Sequence, residues 1–432
     1  MFKNKILKNA SWIIICKIAQ SGLGLIVSML TARCLGPSNY GLINYAASIV
    51  AFVVPIMQLG LNNVIVQELV HNSKNEEGKI IGTSIGLSLM SSVLCIAGVT
   101  AFCAIANKNE KETIIVCSLY SIMLIFQSLE LGQYWFQAKL LSKYTSVVSL
   151  IAYCIVSCYK IFLLVTHKSI YWFAISNSID YMIIAISIIC IYKKLCGNRL
   201  SFSLDTAKRM FGKSHYYIVS SLMVTIFAQT DRIMLKFMIN NSATGYYSAA
   251  VTCAGITSFV FSAIIDSARP SIFESQKHSE KDFNKNMKRL YSVIIYISLL
   301  QSIAMTIFAP LIIHIMYGSD YSQSINALRI IVWYTTFSYI GSVRNIWMLA
   351  KNQQKYLWII NLSGAVANIV LNALLIPKLG INGASIASLI TQFFTNVIVG
   401  YIIPNIRENN KLMAKSLNPK YLIEMSKNIL NK

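Results

Sequence analysis

Charged residues are scarce in this sequence, and their scarcity excludes a soluble protein. Only 12% of the 432 residues are Asp, Glu, Lys or Arg, while 55% are hydrophobic, whereas a soluble domain carries roughly 25% charged residues. No soluble core of this length would absorb so much apolar surface. Apolar stretches of about 20 residues, enough to cross a bilayer core, recur from Ile13 to Ile403. The composition therefore predicts a chain that spans the membrane repeatedly.

Sequence motifs of catalysis and of metal binding are also missing. The chain contains no G-x-S-x-G, no P-loop, no H-E-x-x-H and no D-x-D motif. Its ten cysteines include no C-x-x-C pair, and its five histidines are scattered, so neither residue type predicts a metal site. The longest predicted inner loops, 193–214 and 269–290, are too short to fold as soluble domains. We therefore expect no enzyme activity, no metal and no other cofactor.

Acidic residues are few as well, with 16 Asp or Glu against 38 Lys or Arg and a net charge of +22. Such a balance can indicate nucleic-acid binding, but here the basic residues are dispersed through short loops. Those loops separate twelve candidate membrane helices. The twelve are residues 11–33, 42–64, 79–106, 113–136, 144–166, 169–192, 214–238, 245–268, 290–316, 325–350, 356–376 and 380–403.

The distribution of basic residues predicts the orientation of the chain. With a cytoplasmic N-terminus, the inner loops and both tails hold 27 Lys or Arg, whereas the outer loops hold six. Lys and Arg in short loops resist translocation. Both termini are therefore expected in the cytoplasm, and the expected organisation is a lobe at 1–200, a second lobe at 201–403 and a basic cytoplasmic tail at 404–432. The tail composition suits either a helix on the inner leaflet or a frayed segment.

The two halves of the chain share a register of polar residues when one is shifted by 204 positions. The shift places Asn44, Ser48, Gln58 and Asn62 over Ser248, Thr252, Ser262 and Asp266. A related polar stripe in the predicted helix 11–33 begins at Lys17, and the same shift places it over a stripe in the predicted helix 214–238. The pattern predicts two six-helix lobes related as parallel repeats. Two interpretations stay open: a wetted central cavity, or packing between helices by small polar residues.

Several ionisable residues fall inside predicted spans, where each costs at least about 2.5 to 3.5 kcal/mol near the bilayer centre. They are Lys17, Glu130, Lys160, Asp180, Asp231, Arg232, Arg329 and Arg344, with Asp266 and Arg269 at an inner helix end. Four of these residues also have simpler explanations that involve no function. Arg329 and Lys160 could snorkel to an interface, and Asp266 with Arg269 could be an ordinary boundary pair. Asp231 and Arg232 are neighbours and point about 100° apart, so they are not expected to pair with each other.

Four segments resemble the polysaccharide transporter family, the O-antigen flippases called Wzx, within the multidrug/oligosaccharidyl-lipid/polysaccharide exporter superfamily. The first, TARCLGPSNYGLINYA at 31–46, is similar to the family pattern R-x-L-G-P-x-x-Y-G. The others are GQYWFQAK at 132–139, TDRIMLKFMINNSATGYYSAA at 230–250 and LNALLIPKLGINGASIAS at 371–388. The resemblance covers about residues 1 to 405.

The resemblance implies an all-α membrane protein of about twelve helices in two six-helix lobes, with the fold of the multidrug exporters. It also implies a flippase that moves undecaprenyl-pyrophosphate-linked oligosaccharide from the inner to the outer leaflet of the bacterial inner membrane. Such a protein would serve O-antigen, capsule or exopolysaccharide synthesis, with a polysaccharide polymerase and a chain-length regulator as further candidate partners. A multidrug cation antiporter or a peptidoglycan-precursor flippase of the same superfamily remains the alternative.

Two site hypotheses follow from the implied substrate and the intramembrane charges. Lys17, Arg232, Arg329 and Arg344 are the candidate cationic site for the pyrophosphate, because guanidinium and ammonium groups bind phosphate oxygens. Arg329 and Arg344 are fifteen residues apart, within about 60° of one helix face. Glu130 and Asp180 are the candidate ion-coupling pair, because an acid in a low-dielectric interior can exchange a proton or sodium ion. Their alternative is structural pairing with Lys17 or Lys160.

Overall fold

The computed structural model describes residues 2–196 and 198–418, and the side chains from Trp12 onward except that of Cys196. Within those ranges the chain is helical, without strands. The chain divides into two compact units, Met1–Gln229 and Thr230–Lys432. The helices are α1 Phe2–Met57, α2 Ile65–His71, α3 Glu77–Ala106, α4 Lys111–Ser121, α5 Met123–Leu129, α6 Gln133–Ala138, α7 Ser142–Val165, α8 Ile170–Cys196, α9 Leu204–Met238, α10 Asn241–Ala254, α11 Ser258–His278, α12 Glu280–Tyr317, α13 Ser324–Ala350, α14 Leu357–Phe393, α15 Val399–Ile402 and α16 Arg407–Lys415.

Eight helical segments in the described residues are long and apolar enough to cross a membrane. A ninth is formed if α10 and α11, which meet at a bend of 42°, are one span. Each of the twelve predicted segments lies largely within helix. Two pairs of them run together as single long segments: 11–33 with 42–64, and 356–376 with 380–403. The all-α membrane fold is therefore confirmed, and the division into lobes at residue 200 stays a prediction.

Glycine marks the break within each of these two long segments. Gly36 in α1 has φ 73°, and Gly380 in α14 has φ 57°, a region that side chains with a Cβ rarely adopt. Pro37 and Pro377 flank these breaks. Both breaks fall close to the ends of predicted membrane helices, those at 11–33 and 356–376. Gly and Pro interrupt a helix at these points.

Each unit has its own apolar core. In the first unit, Trp135 and Phe136 of α6 pack with Ile188 and Tyr192 of α8. In the second, Trp347 of α13 belongs to a cluster that includes residues of α11, α12, α14 and α16. Hydrophobic side chains such as Leu94, Leu300 and Ile307 are exposed outside these cores, as expected of helices that face lipid.

The described part of the predicted tail is a folded helix. Tyr291 of α12 donates a hydrogen bond to Asn409 Oδ1 at 2.8 Å, and Asn410 donates to the carbonyl of Val397 at 2.6 Å. Both asparagines are buried. The first part of the tail, α16, is thus held against other parts of the second unit, and residues 419–432 lie outside the described residues.

Candidate functional site

Asp231, in α9, is the most completely hydrogen-bonded intramembrane acid of the second unit. It is 5% exposed. Its Oδ1 accepts hydrogen bonds from Asn368 and Asn372 Nδ2 at 3.0 and 2.6 Å, and its Oδ2 accepts from the hydroxyls of Tyr247 and Ser388. Three helices, α9, α10 and α14, therefore converge on one carboxylate. Four donors offset much of the cost of burying it.

Arg232, the next residue along α9, also bonds to α10. Its Nε donates to Ser248 Oγ of α10 at 3.1 Å, and Ser248 is fully buried. The neighbouring Thr244 hydroxyl donates to the carbonyl of Arg232 at 3.2 Å. Arg232 thus lies between α9 and α10, and both its backbone and its guanidinium contact α10.

Arg344 of α13 is buried beside an irregular turn of the last long helix. It is 4% exposed, and its Nη1 donates to the carbonyl oxygen of Thr395 at 2.8 Å. Thr395 lies in a π-helical turn, Phe394–Ile398, a type of turn that is frequent at functional sites. The Nε of Arg344 is buried without a hydrogen-bond partner in the described residues. Arg344 therefore carries a buried, incompletely hydrogen-bonded guanidinium.

The remaining two residues of the predicted cationic site are exposed within their own units. Lys17 lies on an exposed part of α1. Arg329 is exposed near the start of α13, where its Nη1 contacts Asn326 Oδ1 at 3.3 Å. Arg329 and Arg344 thus have opposite environments on one helix. The joint role of Lys17, Arg232, Arg329 and Arg344 stays a prediction.

In the first unit, the predicted ion-coupling acids lie in a polar network. Lys160 of α7 donates to Asn177 Oδ1 at 3.0 Å, and Asn177 donates to the hydroxyl of Tyr120 at 2.7 Å. Asp180, one turn along α8 from Asn177, interacts electrostatically with both Lys160 and Glu130. Its Oδ1 is buried with no hydrogen-bond partner in the described residues.

The cluster of Glu130, Asp180 and Lys160 contains two acids and one cation. Glu130 begins a 3₁₀ turn, Glu130–Gly132, that interrupts the span from Lys111 to Ala138. Within the described residues, Lys160 forms no ion pair at salt-bridge distance with either acid. One Lys charge can balance one carboxylate, so the second needs a proton or another cation. Their role in ion coupling stays a prediction.

The polar stripe Ser248, Thr252, Ser262 and Asp266, in the predicted helix 245–268, has different surroundings at its two ends. Ser248 is buried in helix packing against Arg232. In the first unit, Ser48, which the shift places over Thr252, is buried and donates to Gln229 Oε1 at 3.0 Å. Ser262 and Asp266, farther along the stripe, instead line an open polar cleft. The stripe therefore packs between helices at one end and lines an open cleft at the other, and the wetted central cavity stays a prediction.

A buried acid outside the predicted spans binds two cations of α9. Glu68 of α2 is 3% exposed and accepts from Lys213 Nζ at 2.6 Å and from Arg209 Nε at 3.2 Å. Burial by itself raises the pKa of Glu68, but the hydrogen bond and charge of Lys213, with the charge of Arg209, outweigh it, so the net pKa is lowered. The ion pairs fasten α2 to α9 within the first unit.

Sequence reasoning missed most partners of these charges. Three partners of Asp231 lie far from it along the chain: Asn368, Asn372 and Ser388. In the sequence, each is an ordinary polar residue within an apolar helix. A signal was nevertheless present, because Asn368 and Asn372 are spaced four residues apart and share one face of α14.

Comparison with known proteins places the chain in a family. The sequence matches the family described as polysaccharide biosynthesis protein over residues 6–276, more than half of the chain. It is 20% identical to "Capsular polysaccharide biosynthesis protein CapF" of Staphylococcus aureus, covering 92% of this chain and 99% of that protein. It is 22% identical to "Putative O-antigen transporter" of Shigella flexneri, covering 88% of this chain and 94% of that protein.

A solved structure shares the fold at low sequence identity. The inward closed conformation of the lipid II flippase MurJ matches with a TM-score of 0.75 and 16% identity, covering 96% of this chain and 92% of that chain. At this identity the match shows the fold alone. Together with the family match over residues 6–276, it gives the conclusion that this multi-pass membrane protein belongs to the polysaccharide biosynthesis protein family, which confirms the resemblance seen in the sequence.

Proposed function

We propose that this protein is a flippase that moves undecaprenyl-pyrophosphate-linked oligosaccharide from the cytoplasmic to the outer leaflet of the inner membrane. The observation that carries the proposal is membership of a polysaccharide biosynthesis family by a chain with the fold of a flippase structure. The names of its relatives, which include an O-antigen transporter and a capsule biosynthesis protein, support the same substrate class. The surface glycan served is O-antigen, capsule or a related exopolysaccharide.

The polar groups inside the membrane helices fit such a substrate. An alternating-access transporter exposes its site to one side at a time, and a lipid-linked substrate presents a charged pyrophosphate while its tail stays in the bilayer. Lys17, Arg232, Arg329 and Arg344 are the residues we assign to the pyrophosphate, since cationic side chains bind phosphate oxygens. Arg344, whose Nε is buried without a partner, has donor capacity left for an anion.

Glu130 and Asp180 are the residues we assign to coupling with an ion gradient. The unpartnered Oδ1 of Asp180 and the shortage of cations around the two acids support an exchangeable proton or sodium ion at this position. Transport in vesicles with an imposed gradient tests the assignment. Glu130→Gln and Asp180→Asn should each lose gradient-dependent transport, and retention of it by both variants would refute the coupling role.

The proposed orientation has both termini in the cytoplasm, and the polysaccharide polymerase and chain-length regulator act downstream at the outer leaflet.

The test of function is export in a strain that lacks this gene. Restored wild-type protein should bring back surface polysaccharide and clear the lipid-linked oligosaccharide that accumulates without it. Continued accumulation, despite normal membrane abundance of the protein, would contradict a flippase function.

A further inference from the structure

A polar cleft of about 390 Å³ lies within the second unit between α11 and α13. Its volume falls within the range of small-molecule pockets, about 300–1,000 Å³. The residues that line it are Ser262, Ile265, Asp266 and Arg269 from α11, and Ser338, Tyr339, Ser342 and Asn345 from α13. None of these residues belongs to the cationic or ion-coupling sites assigned above.

The cleft is built by two polar stripes with the same spacing. On α11 the stripe is Ser262, Asp266 and Arg269, and on α13 it is Ser338, Ser342 and Asn345. Both follow an i, i+4, i+7 pattern, which places the three residues of each stripe on one helix face. Beside the cleft, the rings of Phe261 and Tyr339 stack with centroids 4.0 Å apart. The facing stripes therefore belong to helices that are packed together.

Much of the hydrogen-bonding capacity in the cleft is unused by the protein. Within the described residues, the side chains of Ser262, Ser338 and Asn345 make no hydrogen bond. Ser342 donates to the carbonyl of Ser338 at 3.2 Å. Acyl chains cannot satisfy such groups, and polar side chains in membrane helices face cavities or polar partners. The cleft is thus suited to water or to a ligand rich in hydrogen-bonding groups.

Tyr339 brings a buried side chain to the cleft. It is 8% exposed and lines the cleft, and its hydroxyl lies close to those of Thr257, at the bend between α10 and α11, and Thr335. Neighbouring protein hydroxyls are therefore available to Tyr339. The groups left for a ligand are the serine hydroxyls and the asparagine amide of the two stripes.

The chemistry of the lining favours a neutral polyhydroxylated ligand. Serine hydroxyls and the asparagine amide both donate and accept, as sugar hydroxyls do. The only formal charges among the lining residues are those of Asp266 and Arg269, which pair at 3.1 Å and sum to zero. A cleft for a cationic drug would carry excess acid, and one for pyrophosphate alone would carry excess base.

We propose that this cleft binds the saccharide part of the lipid-linked substrate. The proposal rests on the proposed function and assigns to the cleft the part of the substrate that the cationic residues do not recognise. At one end of the cleft, Asp266 accordingly accepts hydrogen bonds from sugar hydroxyls and Arg269 donates to them.

The first test uses export in the strain that lacks this gene. Ser338→Ala combined with Asn345→Leu should lower the rate at which surface polysaccharide appears by at least about tenfold. Ser267→Ala is the matched control, because Ser267 is exposed on α11 but does not line the cleft, and it should stay within about twofold of wild type. All variants are compared at equal membrane abundance and equal melting temperature. Export by the double variant within twofold of wild type would overturn the proposal.

The second test asks where the glycan lies, using full-length protein in cells. A benzoylphenylalanine photo-crosslinker replaces Ser342 or, as the control, Ser267. After illumination, the purified protein is probed with antiserum against the strain's own surface polysaccharide, before and after mild acid that cleaves the pyrophosphate bond. Crosslinked glycan should be found at position 342 and not at 267, and it should survive acid because the bond to the protein is through sugar.

Two results separate failure of this proposal from failure of the proposed function. If wild-type protein restores export but the position 342 signal is absent or is lost after acid, the saccharide does not occupy the cleft and the flippase function stands. If wild-type protein fails to restore export, the proposed function fails and the saccharide site fails with it.

Discussion

Arg344 of α13 donates a hydrogen bond from Nη1 to the carbonyl oxygen of Thr395 at 2.8 Å, inside the π-helical turn of the last long helix. Burying the charge of an arginine is costly unless its donors find partners. Here one part of the guanidinium bonds to an irregular stretch of backbone, and Nε has no partner in the described residues. Arg344, which we assign to the pyrophosphate of the substrate, thus contacts a helical turn of irregular geometry.

Substitution of Arg344 should separate the role of its charge from that of its hydrogen bond. Arg344→Lys keeps a cation and a donor, so we expect partial export of surface polysaccharide. Arg344→Gln keeps a donor toward Thr395 but loses the charge, so we expect most export to be lost at comparable membrane abundance. The measurement is surface polysaccharide in the strain that lacks this gene. Full export by the Gln variant would leave Arg344 as a packing residue.

Removal of the Asp231 carboxylate should destabilise the second unit. Asp231→Ala leaves four buried donors without their acceptor, and each such group costs about 1–3 kcal/mol. We expect a clear fall in the melting temperature of the detergent-purified protein. Asp266→Ala is the control, because the side chain of Asp266 is 63% exposed in its pair with Arg269 and such pairs contribute about 0–1 kcal/mol. Equal melting temperatures for the two variants would show that the Asp231 cluster is not structural.

Gly82 of α3 should tolerate no side chain. A Cβ at this position would lie 2.5 Å from the carbonyl oxygen of Ser201 and 2.6 Å from its nitrogen, where the segment from 198 to 203 crosses α3. Because these contacts are with backbone atoms, which have little room to adjust, Gly82→Ala should lower both melting temperature and membrane abundance. Gly98, also in α3, has open space around it, so Gly98→Ala should be neutral or better. A neutral Gly82→Ala would mean that the segment can move away.

The ion pairs of Glu68 should give stability that depends on pH. Its folded-state pKa lies below the ordinary value of 4.5, so their contribution is fully present above about pH 4.5 and is lost as pH falls through the lower folded pKa. The melting temperatures of wild type and Glu68→Gln should therefore differ most near neutral pH and converge in acid. Glu274→Gln, at an exposed carboxylate, should track wild type throughout. A constant difference between wild type and Glu68→Gln would contradict this linkage.

The orientation can be tested with single cysteines after the ten native ones are replaced. Ser38, Ser73 and Ser319 are all exposed in the structure. The excess of basic residues in alternate loops predicts Ser38 and Ser319 outside and Ser73 inside. A membrane-impermeant thiol reagent should label the first two cysteines in intact cells and the third only after permeabilisation. Labelling of position 73 from outside would reverse the topology.

The sequence by itself determined the helical segments and the family. Runs of about 20 apolar residues predict membrane helices because only a hydrogen-bonded helix or closed barrel satisfies its backbone in lipid. Gly36 with Pro37, and Gly380 near Pro377, predict the breaks because their backbone preferences are local. Local rules of this kind require no knowledge of neighbouring helices.

The tertiary structure alone decided which side chains meet. Helical periodicity places Arg329 and Arg344 within about 60° of each other, yet Arg344 is buried against Thr395 and Arg329 is exposed. The angle between two residues on a helix is a local property, whereas the neighbour present at that angle depends on how other helices pack. The partners of Asp231 and the cleft between α11 and α13 likewise depend on contacts between helices, which no local pattern specifies.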